Sequence, residues 1–410
     1  MDQHPSELED RIRRALQDPR RGLPAWPDPM RRVRRSARHQ RARLALVTAA
    51  LAGATALIVL FTAGWLQATS RRPHQVSTGP ACSSAGPRPP RLAPGSSSAA
   101  VGTRLIRPGA LAAGPGGQVY VADDGLNQIL QVLPGGRFKV IAGNGRRGYS
   151  GDGGGAYRAS LNDPGGMAVA GNGTIYFADT GNNRVRAVSA SGRITTVAGN
   201  GRYGTWAAGG TPALKTSLGD PADVAVSPGG CLYIADEGNS EILRLSAAGR
   251  LVRVAGVPGA AGVTGSGKPA ARSSADGPNG LAFDRAGNLY VAGFDTKTLL
   301  MITPGGRMRL PAGLTGFYPR GPGGLVTGPD GGVIAMNGQL VQRITSRGLR
   351  TLLDLARVHP AGISGFLPNG IAAAADGAIY LDTHAGNGYS TKTALIEIGP
   401  NGRARVLWQH

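Results

Sequence analysis

The sequence predicts an all-β protein, a six-bladed β-propeller of four-stranded blades preceded by one transmembrane helix. Three observations carry this expectation. A Pro-to-Tyr spacing of 12 positions recurs between Arg104 and His410. Gly (66) and Pro (29) are abundant in a chain of 410 residues, and no long stretch shows a 3.6-residue apolar period, so short strands joined by turns are expected. One uncharged apolar run of 23 residues stands apart near the N-terminus.

In chain order, residues 1–43 come first. They hold 12 Arg, no Lys and 6 Asp or Glu, a net +6, which leaves +15 of the whole chain's +21 for the remainder. So short a segment cannot bury a core of its own. It reads as a basic cytoplasmic tail against anionic headgroups, each basic residue worth roughly 1 kcal/mol. A second reading makes Glu7 to Gln17 a short helix that docks a cytoplasmic partner. Leu44 to Leu66, LALVTAALAGATALIVLFTAGWL, is long enough to cross about 30 Å of hydrocarbon as a helix, with Trp65 at the interface. Arg31, Arg32, Arg34, Arg35, Arg38, Arg41 and Arg43 crowd its upstream side, while only Arg71 and Arg72 follow closely. The positive-inside rule therefore predicts a single-pass cell-membrane protein, N-terminus cytoplasmic and C-terminal domain extracytoplasmic. A cleaved signal peptide competes, but its basic region and apolar run would both be too long.

Residues 67–103 are rich in Pro, Ser, Gly and Ala without apolar period, and are expected to form a disordered stalk. Two cysteines, Cys82 in the stalk and Cys231 beyond it, are too few for a disulfide scaffold. They either pair in an oxidising exterior or stay apart, Cys231 as a small buried residue.

The repeat fills residues 104–410. Pro108 and Tyr120, Pro164 and Tyr176, Pro221 and Tyr233, Pro278 and Tyr290, Pro322 and Ile334, and Pro368 and Tyr380 share one spacing. In the second copy, four apolar runs (Met167 to Ala170, Thr174 to Ala178, Arg184 to Val188, Ile194 to Ala198) are separated by Gly, Asn, Asp and Ser turns. Four antiparallel strands make one blade, and a lone blade cannot hide both apolar faces, so six must close into a ring. Copy six ends with its own fourth run, Arg405 to Trp408, so no strand needs to be exchanged between the chain ends; Thr103 to Ile106 is an added candidate for the last blade.

Copies one to three carry Val119 to Asp123, Ile175 to Asp179 with Asn182, Asn183 and Arg184, and Leu232 to Asp236 with Asn239. These residues, with GNGRRGYSGDGGGAYRASLNDP between copies, resemble the NHL repeat family. The resemblance covers about 300 residues and implies NHL-type blades. Copies four to six drift, with Gly293, Asn337 and Thr383 at the Asp position, and copy six carries an insertion from Asp382 to Thr393.

In propellers the inter-blade loops and the turns between second and third strands share one face, the default ligand face. The long loops after copies one, two and three carry Arg146, Arg147, Tyr149, Asp152 and Tyr157, then Arg202, Tyr203, Trp206 and Lys215, then Lys268 and Arg272; the insertion adds His384 and Tyr389. Aromatic residues with Arg on Gly-rich loops form a recognition composition, although each could equally pack the rim. Asp123, Asp179 and Asp236 are expected to bond their own turns. Gly-Arg pairs ending in Arg137, Arg193, Arg250, Arg307 and Arg403 fall on the opposite face, either as solvated turns or as a positive ring toward an anionic wall polymer or headgroup layer.

No catalytic motif appears. Among residues 104–410 only His359, His384 and His410 are imidazoles, too few for the metal sites of propeller lyases and lactonases, so no metal and no cofactor is expected. Nucleic acid is not an expected partner, because the basic residues are not interleaved with aromatics and the topology keeps the domain outside. The expected function is an extracytoplasmic binding, sensing or scaffold module gripping a protein, peptide or anionic wall polymer at the loop face. The alternative is an exported propeller enzyme, lyase- or lactonase-like, acting on a small molecule or glycan.

Overall fold

A computed structural model describes residues 105–205, 210–257, 266–275, 277–293, 298–311, 324–345, 348–357, 367–385, 392–400 and 403–409. All belong to the second of two compact units, Pro73–His410. The expected tail, membrane helix and stalk lie outside the described residues. Among the described residues no helix is long and apolar enough to cross a membrane.

The described chain forms six four-stranded antiparallel sheets, each built from four consecutive strands. In the second sheet the strands are Pro164–Val169, Ile175–Asp179, Arg184–Val188 and Ile194–Ala198. The first strand of each sheet lies beside the first strands of its two neighbours, and the first sheet meets the sixth, so the ring closes. This is a six-bladed propeller.

The 12-residue spacing has a geometric cause. Each Tyr of the second strand sits opposite a small residue of the first: Tyr120 opposite Ala112, Tyr176 opposite Ala168, Tyr233 opposite Ala225, Tyr290 opposite Ala282 and Tyr380 opposite Ala372. Blade faces need bulk on one strand and room on the next. Tyr233 uses that room to reach Phe283 of the following blade, edge to face at 4.9 Å. Phe177, Ile194, Ile234 and Val291 are fully buried between blades, and each such side chain contributes roughly 1.5–3 kcal/mol. Burial on both faces is what a single blade cannot supply.

Closure uses packing and not strand exchange. The last blade keeps its own outer strand, Ala404–Gln409, paired with Lys392–Ile398. Trp408 then meets Phe138 of the first blade edge to face at 6.3 Å. Leu105 is buried in the same seam, with Leu111 and Ala372, but is not part of a strand. The insertion of copy six lengthens a hairpin: Ile379–Ala385 pairs with Lys392–Ile398 out to Ala385 opposite Lys392.

Candidate functional site

Blades diverge radially, which leaves wedges at the rim, and the long inter-blade loops fill them. Loop one buries Ala156, Ala159 and Leu161 in the cluster that holds Phe177 and Ile194. It then runs beside the outer strand of blade 2, where Gly153 N–H donates to Ile194 O and Ile194 N–H to Gly154 O, at 2.8 and 3.0 Å. Loops two and three do the same through Pro212 beside Arg250 and Pro269 beside Arg307. These loops cover sheet edges that would otherwise expose unpaired backbone groups.

The recurring Asp is the latch for each loop. Asp179 accepts the Asn162 N–H at 2.8 Å and the Asn182 side-chain amide at 2.9 Å, and Asn182 also donates to Gly148 O. Asp236, Asn239, Gly219 and Gly204 repeat the arrangement in blade 3. Asp123 accepts from Ile106, Arg107 and Leu126. The expectation of an Asp bonding its own turn holds for Asp123 and Leu126, but the shared partner lies 16 or 17 residues upstream, in the incoming segment. Burial pushes the Asp179 carboxyl up to about 6 despite the hydrogen bonds from Asn182, Asn162 and Arg186, and pushes Asp236 well above the usual carboxylate range.

Arg186 was not among the residues singled out by sequence. It is fully buried, donates to Ser150 O and Ser160 O at 2.8 and 3.1 Å, and bridges Asp152 at 2.7 Å and Asp179 at 3.5 Å. Its available signal is a broken alternation: Leu130 and Leu243 occupy the same place in blades 1 and 3. A buried Arg there ties loop one to the sheet.

Several candidate loop residues belong to this tie. Tyr149 lies over the Arg184 guanidinium at 3.9 Å and donates to Asp152 at 2.8 Å. Burial raises the Asp152 carboxyl, but hydrogen bonds from Thr196, Arg186 and Tyr149 outweigh it and leave it below its ordinary value. Arg147 donates to Asn162 at 2.8 Å, Tyr157 stacks near Arg158 at 5.3 Å, and the Tyr203 hydroxyl reaches Gly238 O at 3.5 Å.

Arg146 and Arg202 differ. Both are exposed, and both follow a Gly-Asn-Gly turn in which the Asn side chain accepts the Arg backbone N–H: Asn144 for Arg146 at 2.9 Å and Asn200 for Arg202 at 2.8 Å. Among the described residues neither guanidinium makes a hydrogen bond or ion pair. Two successive blades thus present one cation each from the same rigid turn. The turn depends on Gly143 and Gly199, at φ +95° and +90°, where a Cβ would collide with the carbonyls of Asn127 and Asn183. His384 sits in the lengthened hairpin opposite Thr393, while Trp206 and Tyr389 lie outside the described residues.

At the ring centre is a cavity of about 450 Å³, lined by Leu111, Met167, Val224, Leu281 and Leu325, with Asp223 beside them. Asp223 accepts the Leu281 N–H at 2.8 Å and lies against Gly166, where no side chain would fit. The cavity reaches the turns between first and second strands, at Ser227, Pro228 and Arg285, on the face opposite the Arg146 loops. Cys231, which follows Pro228 closely, is disulfide-bonded; Cys82, the other cysteine of the sequence, lies outside the described residues.

Residues 138–304 match the family model of the Teneurin NHL domain. Among solved structures, the chain is similar to a streptogramin B lyase at 16% identity, over 73% of this chain and 82% of that one, with a TM-score of 0.45. It is similar to virginiamycin B lyase from Staphylococcus aureus at 14% identity, over 73% and 83%, TM-score 0.44. A gluconolactonase from Xanthomonas campestris is 16% identical over 68% and 83%, TM-score 0.47. No curated protein matches the chain.

Proposed function

We propose that the chain, a six-bladed propeller with an NHL-family match over residues 138–304, is an extracytoplasmic binding module, anchored by one membrane span and gripping a surface or wall-associated ligand through its loop face. The observation that carries this reading is the pair Arg146 and Arg202, exposed on equivalent rigid turns of consecutive blades. Pre-set turns hold a cation in place before a partner arrives, so little ordering entropy is lost on binding. Tyr149, Tyr157 and Tyr203 remain partly exposed beside them and supply apolar area.

Two features support the location. The Arg asymmetry around Leu44 to Leu66 favours a cytoplasmic N-terminus. A disulfide at Cys231 suits an oxidising exterior, since thiols in cytosol are kept reduced.

The test has two arms on the full chain. A reporter fused after His410 should be active only outside the cytoplasm; cytoplasmic activity overturns the topology. Co-sedimentation with isolated cell-wall and membrane fractions should weaken at least tenfold in Arg146→Ala with Arg202→Ala at an unchanged melting temperature; undiminished sedimentation moves the site elsewhere. Metal analysis separates the enzyme reading, because one tightly held zinc or calcium per chain would favour lyase- or lactonase-like chemistry.

A further inference from the structure

The turns between third and fourth strands lie on the face opposite the Arg146 loops. Their sequences are LPGGR, SASGR, SAAGR, TPGGR, TSRGL and GPNGR, each with one Arg and none with Asp or Glu. Arg137, Arg193, Arg250, Arg307 and Arg403 are exposed there. Three of them are fixed by the loop that covers their own blade: Arg193 Nε donates to Gly153 O at 2.5 Å, Arg307 to Gly267 O at 2.9 Å, and Arg250 to Gly210 O. Each clamp uses one of about five guanidinium N–H donors and leaves the others for a ligand. Among the described residues, Arg137, Arg193, Arg250 and Arg307 form no ion pair. Of the acids near this face, Asp284, Asp330 and Asp376 lie on the inner turns, where they bond Asn288, Arg343 and the Ala378 N–H, while Glu397 pairs with Arg405 and Asp152 with Arg186.

We infer that this rim is a track for a linear, phosphate-bearing polyanion without bases, which meets fixed guanidinia on the three consecutive blades of Arg193, Arg250 and Arg307. A planar guanidinium matches phosphate in two-pronged fashion, and repetition around a ring raises avidity for a repeating chain without any new kind of contact. A lipid surface is disfavoured because these turns hold no Trp or Phe to insert between headgroups. RNA is disfavoured because they hold no aromatic residue for bases to stack on. This surface is independent of the Arg146 and Arg202 site.

The experiment uses the full chain in detergent micelles with long-chain inorganic polyphosphate as probe, against orthophosphate at equal phosphorus, anionic phosphatidylglycerol vesicles and a poly-uridine RNA. Polyphosphate should bind and orthophosphate should not. The triple change Arg193→Gln, Arg250→Gln and Arg307→Gln should weaken binding by about a hundredfold and flatten the salt dependence by about 2 to 3 in slope. Modification by a guanidinium reagent, mapped by mass spectrometry, should show polyphosphate protecting Arg193, Arg250 and Arg307. If the triple variant loses thermal stability, the three Arg→Lys changes keep the charge and should restore part of the affinity. Protection confined to the N-terminal arginines, an unchanged triple variant, or tighter binding to vesicles or RNA than to polyphosphate would each overturn the inference.

Discussion

Blades 1 to 3 and blades 4 to 6 share one architecture and differ in the residue at the end of the second strand. In the first half, Asp123, Asp179 and Asp236 latch the incoming segment. In the second half Gly293, Asn337 and Thr383 stand at that position, yet Gly293 and Asn337 still pair in register with Thr298 and Leu340. Asn337 donates to the Gln342 side chain at 3.2 Å. Blade contacts there rest on Ile334, Met336, Val341, Ile371 and Leu381, all buried. Apolar packing makes the ring in both halves, and in blades 1 to 3 an Asp latch positions the incoming segment.

The largest expected contrast is between the two kinds of blade. Asp179→Ala removes the acceptor of the Asn162 N–H and the Asn182 amide while Arg186 keeps Asp152, so it should cost about 2–3 kcal/mol, whereas Asn337→Ala should cost about 1 kcal/mol or less. Chemical denaturation of both variants would measure the gap, and equal losses would break the comparison.

A smaller contrast lies in the glycines. Gly199→Ala forces a Cβ against the Asn183 carbonyl in a left-handed backbone and should cost about 2–3 kcal/mol. Gly338→Ala in blade 5, at φ +61° with open space around it, carries only the backbone penalty of about 1 kcal/mol. Melting temperatures of the pair would rank the two.

Next comes pH. The Asp179 carboxyl is raised to about 6 from its ordinary 3.8, so the fold favours its protonated form. Its stabilising contribution is complete below the ordinary value and is lost as pH rises through about 6. Asp179→Asn, which mimics the neutral acid, should reduce the melting-temperature difference between pH 5 and pH 7; an unaltered difference would show that another group sets it.

The smallest effect is expected at Arg343, whose ion pair with the half-exposed Asp330 is partly solvated. Arg343→Ala should change stability by about 0.5 kcal/mol or less. A larger loss by thermal denaturation would mean that surface pairs matter more in the drifted half.

Much of the ring was legible because its signals are local. The Pro-to-Tyr spacing spans one hairpin, and the runs Arg184–Val188 and Ile194–Ala198 coincide with the third and fourth strands of blade 2. Loop chemistry was less legible. Tyr149 read equally as a ligand-facing or a rim-packing aromatic, and its contacts are with Arg184, Asp152 and Thr196, the last 47 residues away. Arg193 read as either a solvated turn residue or part of a positive ring, and its carbonyl partner Gly153 lies 40 residues upstream.

The sequence by itself determined the number of blades, their strands and the positions of their turns, because alternation, Gly-Asn turns and a repeated hairpin length act over fewer than about 15 residues. Only the tertiary structure decided which polar residues are spent holding the ring together and which remain exposed. Arg186, Arg193 and Arg202 are the same residue type within and just after blade 2, yet one is buried between two carboxylates, one is clamped to a loop carbonyl and one projects from its turn. The wedge between diverging blades makes that choice, since it brings a loop against one guanidinium and leaves the next in solvent.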